Sequence, residues 1–141
     1  MTATKFLVPA ATLLIASGAW AEGLQVEPGL WEMNSTITHP MMPQPQTNTT
    51  TECFDKSEIS MDDMGQKDMD PNCTFEMSEL TGDTMKWSMD CPIDGGQAHG
   101  EWEATSTGDA LTGGGVMTMT MQGQNMEMTM SWEGRRTGPC P

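Results

Sequence analysis

Methionine alternates with polar residues through the segment MTMTMQGQNMEMTM, which covers residues 117–130. Neighbouring side chains of a β-strand point to opposite faces, so this period of two predicts a hairpin with one methionine face and one polar face. A two-residue loop at Gly123-Gln124, with glycine in the first central position of a type II′ turn, sets the predicted register. The predicted pairs are Met121 with Met126, Met119 with Met128, and Met117 with Met130. Because methionine is a flexible apolar filler, we expect these side chains mainly to form core.

The same alternation recurs between glycine-containing turns elsewhere in the chain, and no long stretch has the 3.6-residue period of an amphipathic helix. This pattern predicts an all-β fold, an antiparallel meander of about seven strands that forms a small barrel or a strongly curved sheet. A two-sheet sandwich is the alternative. The first two strands are expected at residues 30–39 and 47–53. One short helix is expected between strands 2 and 3, near residues 56–64, because Asp55 and Glu58 have the spacing of a capping box.

Two further hairpins can be aligned from their apolar faces. In CTFEMSELTGDTMKWSMDC, pairing Met77 with Trp87 brings Cys73 opposite Cys91, at a separation that suits a disulfide. A two-residue Gly82-Asp83 turn would shift this register by one and split the apolar face, so we expect a three-residue loop or a bulge.

The second of these hairpins turns at the sequence TGD, with a predicted two-residue loop at Gly108-Asp109. That loop pairs Ala104 with Gly113 and Trp102 with Gly115. Glycine leaves room for a large ring to lie over the backbone of the neighbouring strand.

The first 21 residues have the features of a secretory signal peptide. Lys5 precedes a mostly apolar stretch at residues 6–17, and Ala19-Trp20-Ala21 is a small-x-small cleavage site. The apolar stretch is too short to span a bilayer. We therefore predict cleavage after Ala21, a periplasmic or secreted protein without a membrane anchor, and a single β domain over residues 22–141.

All four cysteines follow the predicted cleavage site, and an even number in an oxidising compartment indicates two disulfides. With Cys73 assigned to Cys91, elimination leaves Cys53 joined to Cys140. A zinc site would require CxxC spacing, which is absent from the sequence.

Charge excludes several classes of partner. Six Lys and Arg against twenty Asp and Glu give a net charge of −14, so no basic surface is available for nucleic acid or for an anionic membrane. We expect a monomer whose acidity serves solubility.

The sequence also argues against catalysis. His39 and His99 are the only histidines, and no nucleophile, metal-protease or phosphate-loop motif is present. If all cysteines are oxidised, no thiolate remains as a nucleophile. We therefore predict that the protein is not an enzyme and needs no cofactor.

The candidate ligand-binding residues are the tryptophans that a small barrel would enclose, together with one arginine: Trp31, Trp87, Trp102, Trp132 and Arg136. Arg136 is four residues after Trp132, so in a continuous strand its side chain points to the same, inward face. There it needs a carboxylate or carbonyl partner. Arg136 would either hold a ligand carboxylate or phosphate, or form a salt bridge that fixes the last strand.

A soft-metal site is the other local candidate. His39, Met41 and Met42 in HPMMP offer one imidazole and two thioethers, which suit copper(I). The competing interpretation, which we favour, is a surface loop whose methionines cover the mouth of the barrel, so no metal is predicted.

Three classes of function follow from these features. The first is a non-catalytic binding protein for a small apolar or amphipathic ligand. The second is a copper-binding or oxidant-buffering protein that uses its methionines. The third is an envelope protein–protein interaction module that uses its acidic surface.

Four landmarks follow one another along the chain: PGLWE at residues 28–32, a cysteine after a threonine-rich strand at Cys53, a Cys-bounded hairpin that contains Trp87, and GRRTGPC ending at Cys140. This series resembles the bacterial domain-of-unknown-function family 3617, over nearly all of residues 22–141. The resemblance implies an exported, methionine-rich β domain and supplies no reaction.

Overall fold

The computed structural model describes residues 22–141. In this part of the chain the strands are β1 (Leu24–Gln25), β2 (Gly29–Thr38), β3 (Gln46–Phe54), β4 (Glu58–Ile59), β5 (Thr74–Leu80), β6 (Thr84–Ile93), β7 (Gly96–Ser106), β8 (Ala110–Met121) and β9 (Gln124–Gly138). The predicted signal peptide lies outside the described residues. Over the range that is described, no helix is long and apolar enough to cross a membrane.

Seven strands form one antiparallel sheet in the order β3-β2-β9-β8-β7-β6-β5. Strands β5 to β9 are a meander, and β2 pairs with β9 so that both ends of the chain join the same sheet. The predicted all-β class is confirmed, but the sheet does not close into a barrel, because β3 and β5 remain unpaired edges at opposite ends of the strand order. β1 and β4 form a separate two-stranded ribbon, and Val26, just after β1, makes an isolated parallel bridge to Gly108.

The predicted helix at residues 56–64 is wrong. Glu58 and Ile59 pair with β1, and within residues 22–141 the one helical element is a 3₁₀ turn at Gln66–Asp68. The Glu58 carboxylate accepts a hydrogen bond from Gln25, 2.6 Å away, so it is not available to complete a capping box with Asp55.

The registers of two hairpins match the predictions. Strands β7 and β8 pair Trp102 with Gly115 and Ala104 with Gly113. Strands β5 and β6 pair Met77 with Trp87, and the expected irregularity is a bulge just after Met77. The bulge absorbs the extra residue, so the apolar faces stay aligned on both sides of it.

The predicted register of the β8–β9 hairpin is wrong by two residues. The turn is centred on Gln122 and Gly123, with φ values of 51° and 79°, and Met121 pairs with Gln124. Two positive φ values are the requirement of a type I′ turn, which takes glycine readily at its second central position. A register shift of two residues leaves every side chain on its predicted face, so the methionines still share one face of the hairpin.

The buried core lies away from the methionine-rich hairpin. Its members are Leu24, Val26, Trp31, Met85, Ala104 and Leu111. The ribbon strand β1 therefore contributes directly to the core, packing against the face of the large sheet. None of the six methionines at residues 117–130 is buried, and Met121 is 40% exposed. The expectation that these methionines mainly form core is thus wrong, because in the described part of the chain all six remain partly or largely exposed and none belongs to the core cluster.

Two disulfides connect the predicted pairs. Cys73 and Cys91, just outside the β5–β6 ladder, have a Cα–Cα distance of 4.2 Å. Cys53 and Cys140 join the end of edge strand β3 to the segment after β9, with a Cα–Cα distance of 5.5 Å. Paired cysteines of this kind indicate an oxidising, non-cytoplasmic environment.

Candidate ligand-binding cavity

A cavity of about 760 Å³ lies between one face of the large sheet and residues 55–69, which we call the cover segment. The sheet face has an apolar floor formed by Met33, Phe54, Phe75, Trp87, Met89, Trp102, Leu111, Met130 and Trp132. The cover segment adds Ile59, Met61, Met64 and Met69. This volume is within the usual range for small-molecule sites, which are mostly apolar with a few polar groups.

Three tryptophans from three strands, Trp87, Trp102 and Trp132, form the centre of the floor, and we call them the tryptophan floor. The rings of Trp87 and Trp102 stack with centroids 6.2 Å apart, and the centroid of the Trp132 ring lies 6.3 Å from that of Trp87. Glycines make this cluster fit, because a side chain at Gly113 would collide with the Trp132 ring and one at Gly115 with the Trp102 ring. The cluster is half-buried, so its rings present apolar surface to the cavity.

The opposite margin of the cavity is polar. Edge strand β3 directs Asn48, Thr50 and Glu52 to the same face as the tryptophans, and Ser35 of β2 lies beside Asn48 in the ladder. The cavity thus runs from an aromatic region on β6, β7 and β9 to a hydrogen-bonding and acidic margin on β3. An arrangement of this kind suits a molecule with one apolar and one polar end.

Besides the pairing of β4 with β1, an ion pair and a local turn constrain the cover segment. Lys56 Nζ lies 2.6 Å from Asp63 Oδ1, and the other carboxylate oxygen of Asp63 accepts hydrogen bonds from the backbone N–H and hydroxyl of Ser60. The hydrogen bond from Lys56, together with those from Ser60, holds the pKa of Asp63 well below its usual range. The same hydrogen bond raises the pKa of Lys56. Both groups are therefore charged at neutral pH, and they constrain the loop that covers the cavity.

The structure places the predicted ligand-binding residues in two locations. Trp87, Trp102 and Trp132 line the cavity. Trp31 instead is fully buried in the core, where its indole N–H donates to the Glu27 carbonyl at 3.0 Å.

Arg136 is absent from the residues that line the cavity. Its Nε donates to the Pro28 carbonyl at 2.8 Å, and its side chain lies over Gly29. Arg136 thus has the carbonyl partner that the sequence pattern required, and it fastens β9 to the start of β2.

The soft-metal candidates form a surface turn. The Met41 N–H donates to His39 Nδ1 at 3.1 Å, and the Met42 N–H donates to the His39 carbonyl at 3.0 Å. Met41 is 78% exposed. Across residues 22–141, no group of three His, Cys, Asp or Glu side chains is arranged to hold a metal ion.

Sequence reasoning missed the cover segment. The predicted helix at residues 56–64 gave this segment no role in a binding site, although Ile59, Met61, Met64 and Met69 lie among the five aspartates of residues 55–70. Apolar residues in an otherwise acidic loop were the available signal, since a loop with no packing role has no need of them.

Comparison with known proteins identifies a family and nothing more specific. A family model described as "Protein of unknown function (DUF3617)" matches residues 26–140. No curated protein matches the chain, and no solved structure does.

Proposed function

The chain belongs to the DUF3617 family, whose description names no activity, and we propose that it is an exported, non-catalytic protein that binds a small apolar or amphipathic ligand in the cavity. The observation that carries the proposal is the 760 Å³ space between the tryptophan floor and the cover segment. The two disulfides and the predicted signal peptide support export to the periplasm or the exterior. We propose that the protein acts as a monomer.

The energetics favour a ligand with an aliphatic or aromatic body. Each methylene removed from water contributes about 0.8 kcal/mol, so a chain of roughly eight to ten methylenes offers about 6–8 kcal/mol. Part of this gain is offset by the restricted motion of the bound ligand, and a Kd of 1 μM corresponds to about 8.2 kcal/mol, so the tail alone supports binding weaker than micromolar. Stacked indoles provide broad apolar contact without demanding one ligand shape.

A paired substitution on the edge strand tests the proposal. Thr50→Trp adds a large ring on the cavity side of β3, whereas Thr51→Trp adds the same ring on the opposite face of the same strand. We expect Thr50→Trp to weaken binding of a neutral alkyl glycoside with a twelve-carbon tail by tenfold or more, and Thr51→Trp to leave it unchanged. Calorimetric titration below the critical micelle concentration measures both. Equal affinity in the two variants would place the binding site elsewhere.

Oxidant buffering is a second candidate, and a specific observation favours it. Met117, Met119, Met126 and Met128 share one face of the β8–β9 hairpin, are all partly exposed and lie outside the residues that line the cavity. Partly exposed methionine can be oxidised to the sulfoxide and restored by reductases.

Peroxide mapping separates this role from a structural one. We expect Met41 to oxidise first, the hairpin methionines at a measurable intermediate rate in the folded protein, and buried Met85 only on unfolding. Time-resolved peptide mass spectrometry gives the order. Protection of the hairpin methionines equal to that of Met85 would exclude oxidant buffering by this face.

A further inference from the structure

We infer that the polar end of the ligand is a cation, so that the cavity selects an amphiphile with an ammonium or amidinium group. The inference rests on the proposed function and names the class of ligand for that site. It follows from three features of the cavity wall: its excess of carboxylates, the pairing of its one lysine, and the position of the acidic margin relative to the tryptophans.

Carboxylates outnumber cations among the lining residues. Glu52, Asp55, Glu58 and Asp63 line the cavity together with a single cation, Lys56. Lys56 is engaged by Asp63 at 2.6 Å and is therefore not free to receive an anionic head group. An anionic ligand would have to displace that contact and face the remaining carboxylates.

Glu52 and Asp55 are the acids best placed to receive a cation. Glu52 lies on the cavity side of β3, and Asp55 follows the end of that strand. Within residues 22–141 neither carboxylate forms an ion pair with Lys, Arg or His. Arg136 aligns with Glu52 across the sheet, but it is two strand spacings away, about 10 Å, and bonded to the Pro28 carbonyl.

The distance between the acidic margin and the tryptophan floor suits an amphiphile rather than a bare ion. Trp132 is two strands across the sheet from β3 and aligns with Asn48, four residues along the strand from Glu52. Strand spacing and rise then give a backbone separation of roughly 16 Å. A cationic head near Glu52 can therefore extend an apolar tail to the tryptophans, and a short aromatic amine can use cation–π contacts with the same rings.

Three probes with the same twelve-carbon tail test the charge preference: dodecyltrimethylammonium, dodecyl maltoside and dodecanoate. Each is titrated calorimetrically below its critical micelle concentration at 0.15 M salt, where distant charges are screened. We expect the cationic probe to bind about tenfold or more tighter than the anionic one, with the neutral probe between them. Tetramethylammonium, which lacks the tail, should bind at least a hundredfold more weakly than dodecyltrimethylammonium.

Variants that each remove one negative charge show which carboxylates cause the preference for the cationic probe. Glu52→Gln and Asp55→Asn should each reduce the ratio of cationic to anionic affinity by about two- to fivefold, as expected for an exposed ion pair. Glu127→Gln removes the same charge from the outer face of β9 and should leave the ratio unchanged.

The outcomes distinguish this inference from the proposed function. Equal affinity for the three probes, or tighter binding of dodecanoate, would overturn the charge preference and leave the cavity as a binding site. A loss in Glu127→Gln as large as that in Glu52→Gln would assign the preference to overall charge and would also overturn the inference. Failure of all three probes to bind would reject the proposed function itself.

Discussion

The indole ring of Trp132 occupies the space beside Gly113 where any other residue would place its Cβ. The two residues are direct partners in the β8–β9 ladder, and a Cβ at Gly113 would lie 2.5 Å from Trp132 Nε1. The Trp132 ring of the tryptophan floor therefore fits only because Gly113 has no side chain. This relationship connects the glycine-rich start of β8 directly to the shape of the cavity.

Gly113→Ala should destabilise the protein by about 1–3 kcal/mol, because the added methyl group forces Trp132 or the neighbouring backbone to move. Urea denaturation gives the stability, and the tryptophan emission spectrum reports the displaced ring. Gly138→Ala is the matched control, since a Cβ there has no atom within 4 Å. If Gly138→Ala costs as much as Gly113→Ala, the close fit of the Trp132 ring is not the cause.

The location of the core gives a second prediction, which compares two methionines on the same face. Met85 is fully buried, whereas Met128 is half-exposed. Met85→Ala should cost about 2–5 kcal/mol through lost contacts and a residual cavity. Met128→Ala should cost less than about 1.5 kcal/mol, because it leaves no enclosed void. Similar shifts in the denaturation midpoint would mean that the hairpin methionines are covered in solution.

The two disulfides should differ in their contribution to stability. Cys53 and Cys140 are 87 residues apart, and Cys73 and Cys91 are 18 residues apart. Loop-closure entropy predicts that the disulfide of the longer loop adds about 4.6 kcal/mol to the free energy of unfolding and that of the shorter loop about 3.2 kcal/mol. Paired Cys→Ala variants of each bridge, unfolded in urea, measure the two values. A larger loss from removing the short bridge would indicate that the ends of the chain are held chiefly by other contacts.

His99 provides a pH-dependent prediction on the outer face of the sheet. Its hydrogen bond to Asp90, with a separation of 2.7 Å, raises the pKa of His99 above the usual value of 6.5. A raised pKa in the folded state means that the stabilising effect of the pair is complete below about pH 6.5 and declines as the pH rises through the pKa of the folded protein.

Asp90→Asn should return the pKa of His99 toward its usual value, and an NMR titration of the imidazole protons measures this directly. Asp68→Asn, which removes a charge from the 3₁₀ turn, should leave the titration unchanged. A titration of His99 that is insensitive to Asp90 would contradict the geometry of this pair.

The strand pattern could be predicted from the sequence because burial on one face requires alternation. Trp102 opposite Gly115 and Met77 opposite Trp87 both follow from aligning apolar faces around short turns. The pairing of Cys73 with Cys91 follows from the same register. In each case a register shifted by one residue would expose apolar side chains, so the sequence allows few alternatives.

Other features could not be predicted from local pattern. A register shifted by two keeps every face intact, so the methionine pattern did not distinguish a turn centred on Gln122-Gly123 from one at Gly123-Gln124. Whether the sheet closes into a barrel could not be predicted either, because apolar and polar residues alternate in the same way in a barrel and in an open sheet. The cavity depends on how β4 pairs with β1, which are two-residue strands too short to show a period.

NMR of the indole N–H groups of Trp31, Trp87, Trp102 and Trp132 shows directly whether small amphiphiles bind between the tryptophan floor and the cover segment. Trp87, Trp102 and Trp132 line the cavity, while Trp31 is sealed in the core and serves as an internal reference. Titration with dodecyltrimethylammonium below its critical micelle concentration should shift the three cavity resonances saturably and leave that of Trp31 in place. Unchanged cavity resonances, or equal shifts in all four, would mean that the probe does not bind in the cavity.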